Sequence, residues 1–74
     1  MKAGEAKIGQ LIKTPYGLAT IMAINAPEYI SCIVVQRDPK YKPGSPGYKR
    51  YAQGIWLYIR GFDFLSSEVV SESR

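Results

Sequence analysis

Along this chain apolar residues recur mainly at every second position, and turn-forming residues interrupt them at short intervals, the pattern of several short β-strands. GQLIKT (9–14) reads as a first strand and ends at TPYG, where Pro15 and Gly17 take the second and fourth places of a type I turn. LATIMAI (18–24) follows, with Leu18, Thr20, Met22 and Ile24 on one face and Ala19, Ile21 and Ala23 on the other. NAPE (25–28) is the next turn. YISCIVVQ (29–36) is rich in β-branched residues and apolar on both faces, as a central strand requires. In AQGIWLYIR (52–60), Ile55, Leu57 and Ile59 form the expected core face, and Trp56, Tyr58 and Arg60 the opposite one. A turn with a single 3₁₀ turn around Asp63–Leu65 leads to a last strand near Glu68–Val70. Residues 1–7 and the tail SESR (71–74) read as mobile ends around a core of about residues 8–70.

No sustained helical period and no internal repeat is present, and 74 residues make a single domain. A domain this small buries only about 60% of the surface its unfolded chain exposes, so its margin of stability is thin. An open sheet of such apolar strands would expose pairing edges. The expected fold class is therefore all-β: one closed or nearly closed five-stranded barrel with one long connection.

IGQLIKTPYGLATIMAI and YISCIVV together resemble the opening of small SH3-like barrels of the KOW and Tudor type. Gly9, Leu11 and Ile12 match the first strand of that pattern, Gly17 its turn and Ile33–Val35 its third strand. AQGIWLYIRGFDFL is similar to the fourth strand and 3₁₀ turn of such domains. Many relatives carry Gly-x-Gly where this chain has Gly17-Leu18-Ala19. The resemblance implies a binding fold that serves RNA, DNA, ribosomes and peptides alike, so it does not choose the ligand. Its Tudor side also implies an aromatic cage for methylated lysine or arginine, for which Tyr16, Tyr29, Trp56 and Tyr58 are available.

The one stretch unlike the rest is RDPKYKPGSPGYKRY (37–51). It holds three prolines, two glycines and three tyrosines, and its Arg37, Lys40, Lys42, Lys49 and Arg50 face a single acid, Asp38. The formal net charge of the chain is +4, and all of that excess lies here, because five cations balance five acids elsewhere. Such a local field attracts phosphate, an anionic lipid surface or an acidic protein. Paired as a hairpin about Gly44–Ser45, the segment sets Lys40 against Lys49 and Tyr41 against Tyr48, with Pro43 and Pro46 limiting regular pairing. Lys40, Lys42 and Lys49 then project from one side, Tyr41 and Tyr48 from the other. Three uses are open: a solvated loop, a nucleic-acid surface or a protein contact. Trp56 is expected to pack beneath this loop, with Tyr58 and Arg60 beside it.

Composition narrows the chemistry further. The chain has no histidine, the commonest general base near neutral pH and the commonest metal ligand. Its one cysteine, Cys32, lies in an apolar strand, where a buried inert thiol is expected. Neither a phosphate-cradling glycine loop nor a paired-carboxylate site is visible, and Asp63 between two phenylalanines reads as a turn cap. Neither an enzyme nor a cofactor is expected. No run approaches a membrane span and the first residues do not form a secretory signal, so an intracellular protein is expected.

The resulting expectation is a non-catalytic binding module whose first ligand class is RNA or single-stranded nucleic acid. Lys40, Lys42, Lys49 and Arg50 would neutralise phosphates, while Tyr41, Tyr48 and Trp56 would stack on bases. Arg37, Tyr51, Tyr58 and Arg60 complete the set of expected binding residues. The competing class is a protein-interaction or assembly subunit, docking an acidic partner or a second copy of itself. There Trp56 and the tyrosines are buried anchors and the cations a rim.

Overall fold

Strands form where the alternation is strongest. A computed structural model describes residues 1–71: β1 (Leu11–Thr14), β2 (Gly17–Ala26), β3 (Tyr29–Arg37), β4 (Trp56–Arg60), α1 (Phe62–Ser66) and β5 (Glu68–Ser71). All the pairings are antiparallel, in one five-stranded sheet of order β4-β3-β2-β1-β5. The mobile tail expected at 71–74 lies outside the described residues except for Ser71, which ends β5.

The all-β class holds, but the sheet does not close into a barrel. β4 and β5 are its two ends and are not hydrogen-bonded to each other. The seven residues between them, 61–67, carry α1 instead, and this helix packs against β4 and β1. The 3₁₀ turn expected at Asp63–Leu65 is thus part of a one-turn α-helix. Its Phe64 is fully buried and joins the core. Burying a phenylalanine contributes about 1.5–3 kcal/mol, a large share for so small a domain.

The rest of the core is Ala6 from the turns ahead of β1 and the inward set of the first four strands: Ile12 from β1, Ala19 and Ile21 from β2, Ile30, Cys32 and Val34 from β3, and Leu57 and Ile59 from β4. Ile55 does not join it. It precedes β4 and stands 42% exposed, because the chain there is still leaving a turn closed by its own N–H to the Ala52 carbonyl. Bulges interrupt the β2–β3 ladder at Leu18/Ala19, Ile21/Ala23 and Ile24/Ala26. They raise the local twist and bend the sheet over its thin core. Ahead of β1, residues 1–10 run as turns; Gln10 is buried, accepts from the Lys7 N–H at 2.8 Å and donates to the Glu5 carbonyl at 3.1 Å.

The β1–β2 turn is locked to the end of β3. Asp38 N–H donates to the Tyr16 carbonyl at 3.1 Å, and Gly17 has φ +132 with a Cβ position only 2.2 Å from the Gln36 carbonyl oxygen. No side chain fits there. Gly17→Ala is expected to lower stability by about 3 kcal/mol or more, combining backbone strain and overpacking. Urea unfolding checks this, and an unchanged midpoint would refute the close approach.

Candidate functional site

The connection from β3 to β4 forms no hairpin. Its backbone is a series of separate turns, closed by N–H donation from Tyr41 to Asp38, Ser45 to Lys42, Tyr48 to Ser45, Tyr51 to Gly47 and Ile55 to Ala52. Proline at 39, 43 and 46 removes the donors a ladder needs, so the arms close locally instead of pairing. Tyr41 and Tyr48 consequently part company. Tyr48 lies under the Arg37 guanidinium, 4.0 Å from its ring centre, whereas Tyr41 turns inward.

Tyr51 fixes the loop to the sheet. Its ring stacks on Tyr16 at 4.2 Å and 19°, and Tyr41 leans on it at 4.9 Å and 49°. Gly47 makes room for both: a Cβ there would sit 2.9 Å from the Tyr51 ring and 3.0 Å from that of Tyr41. Tyr16 and Tyr51 also pack on the core. The stack ends in a hydrogen bond, with the Tyr16 hydroxyl donating to Asp63 Oδ2 at 2.7 Å. The carboxylate at that hydroxyl, together with partial burial, pushes the Tyr16 pKa well above its ordinary 10.0.

Next to this stack a groove of about 710 Å³ runs beside β4, its lining including Tyr16, Tyr29, Tyr51, Trp56, Tyr58, Arg50, Arg60 and Asp63. Trp56 and Tyr58 are 50% and 64% exposed, so Trp56 walls the groove beside the loop and is not packed beneath it. Across the ladder Tyr29 faces Arg60, whose guanidinium stands 5.6 Å from the Tyr29 ring centre, and Tyr29 meets Tyr58 edge-on at 6.2 Å. A second hollow of about 640 Å³ lies within the loop, between Tyr41, Tyr48, Tyr51, Lys49 and Arg50.

The residues singled out by sequence therefore divide. Arg50, Tyr51, Trp56, Tyr58 and Arg60 share the groove, and Arg50 and Tyr51 link it to the hollow holding Tyr41, Tyr48 and Lys49. Lys40 and Lys42 are exposed on other sides of the loop, beside Lys13 and Glu68 and beside Gln36 and Gln53 respectively. The cations encircle the loop and form no single strip. Asp38, the acid among them, accepts the Lys40 N–H at 2.9 Å. Tyr16 was expected only in the aromatic cage that the resemblance implies, and the groove does hold Tyr16, Tyr29, Trp56 and Tyr58. Asp63 was expected only as a turn cap, whereas α1 has no side-chain cap and the Asp63 carboxylate accepts from Tyr16.

Among the described residues no group of three or more His, Cys, Asp or Glu side chains is placed to hold a metal, and no helix is long and apolar enough to cross a membrane. Cys32 is buried and its thiol is pushed up to about 11 by desolvation. No protein family, curated protein or solved structure matches the chain.

The hydrogen bond of Tyr16 sets a pH signature. Because the folded state holds the phenolic proton more tightly than the unfolded chain, this stabilisation is complete below pH 10.0 and fades as pH rises above it. Tyr16→Phe is expected to cost about 1–2 kcal/mol at neutral pH, with a shallower loss of stability above that point. Urea midpoints measured between neutral and strongly alkaline pH check both parts.

Proposed function

We propose that this chain is a non-catalytic binding module of the SH3-like type, and that its groove takes single-stranded nucleic acid, RNA foremost. The observation that carries this is the groove itself: two exposed aromatic side chains, Trp56 and Tyr58, share it with the guanidinium groups of Arg50 and Arg60. Asp63, the one carboxylate in its lining, accepts from the Tyr16 hydroxyl. Unpaired bases stack on such rings for about 1–3 kcal/mol each, while guanidinium groups meet the phosphates between them. Lys49 and the loop hollow extend the basic surface to one side. The return of β5 to β1 and the short helix between β4 and β5 support the SH3-like reading of the fold.

A protein-interaction or assembly subunit is the second reading. Phe62 and Leu65 favour it, for they stand 80% and 54% exposed on α1. An apolar surface of this kind more often meets protein than phosphate.

Trp56 is the only tryptophan, so its fluorescence reports on the site directly. Titration with oligouridine at low salt is expected to quench it saturably, and affinity is expected to fall steeply as salt is added. Trp56→Ala, followed by anisotropy of labelled RNA, should weaken binding by roughly 5- to 150-fold, the equivalent of one stacked base. Arg50→Ala and Arg60→Ala should each flatten the logarithmic salt slope by about 0.7. Absence of binding at low salt would remove the nucleic-acid reading, since that condition favours phosphate contacts most.

A further inference from the structure

β4 has a neighbour on one side only. Val34 N–H donates to the Ile55 carbonyl at 3.0 Å, and Cys32 and Ile30 stand opposite Leu57 and Ile59. Ladder alternation therefore aims the main-chain groups of Leu57 and Ile59 at β3, and those of Trp56, Tyr58 and Arg60 out along the free edge. Among the described residues no hydrogen bond reaches those outward groups. Several defences of an exposed edge are missing: WLYIR contains no proline and no lysine, its pairing with β3 has no bulge, and its one charge is Arg60 at the end.

The sequence of this edge is complementary to itself. We propose that β4 pairs through its free edge with β4 of a second copy, antiparallel, about a two-fold axis at Tyr58. Tyr58 then faces Tyr58 of the second copy, and Trp56 faces Arg60 of the second copy in both directions. All three are outward-pointing positions, so each facing pair exchanges two N–H···O=C bonds, and the outer pairs add a cation–π contact. Two five-stranded sheets become one continuous sheet, an isologous arrangement in which the same patch serves both copies.

This goes beyond the nucleic-acid reading and does not rest on it. The pairing lies in the plane of the sheet, whereas the Trp56 and Tyr58 side chains stand off its face, so the two aromatic platforms become adjacent. Salt separates the two events. Each copy carries net charge +4, so added salt relieves repulsion between copies and strengthens the dimer, while it weakens a nucleic-acid complex.

Sedimentation equilibrium from micromolar to millimolar protein is the test. The expected result is a mass rising from 8.3 kDa toward twice that value, at lower concentration when salt is raised. Tyr58→Pro removes an N–H that points away from β3, so it should leave the β3–β4 ladder in place and keep the chain at 8.3 kDa. Tyr58→Lys sets like charges face to face at the axis and should weaken dimerisation at least tenfold; it carries the test alone if the proline variant fails to fold, as judged by circular dichroism. A wild-type chain that stays at 8.3 kDa throughout overturns the proposal, including the case in which the edge takes up an extended peptide from another protein. Variants that dimerise as well as the wild type overturn it too.

Discussion

The face of Tyr51 against Tyr16 is the contact on which the functional side of the molecule depends. Between β3 and β4 the chain runs from residue 38 to residue 55 without regular structure, and short turns alone do not set where such a loop sits. The stacked pair does, because Tyr16 belongs to the β1–β2 turn, which Gly17 in turn holds against the end of β3. Tyr41 from the front of the loop and Gly47 from its middle close on the same ring. Arg50, the next residue back along the chain, is thereby held at the mouth of the groove.

Much of this was legible in the residues, and the rest was not for definite physical reasons. Strand alternation is a local property, so Leu57 and Ile59 inside with Trp56, Tyr58 and Arg60 outside could be read from spacing alone. The bulges in β2 could not, since each arises from how two strands meet and leaves no mark in either one. Nor could the open sheet. Whether β4 and β5 pair or a short helix stands between them is decided by where Phe64 finds cover. In the loop, prolines and glycines announced turns correctly, but tyrosine spacing gave no warning that Tyr41 would turn to Tyr51 and Tyr48 to Arg37. Asp63 read as a cap because only the three-dimensional structure brings it to a tyrosine 47 positions away.

Two kinds of surface meet at β4. Its side chains offer aromatic faces with guanidinium groups beside them, and its backbone offers an unpaired edge at right angles to those faces. A sheet edge offers main-chain groups and a sheet face offers side chains. One short strand therefore has room for a ligand that stacks and for a neighbour that extends the ladder, each recognised by different chemistry.

The pairing of β1 with β5 has a consequence for how the chain comes into being. Ile12 is registered with Val69, so the β1 edge waits for nearly the full length of the chain before it is covered. β2, β3 and β1 have local partners and assemble early, whereas β5 arrives last across a long loop closure. On the ribosome, β1 stays open on one side until β5 has cleared the exit tunnel. Through that interval the bare edges are those of β4 and β1, where the finished sheet has β4 and β5, so a misplaced strand from a neighbouring chain can take the place meant for β5.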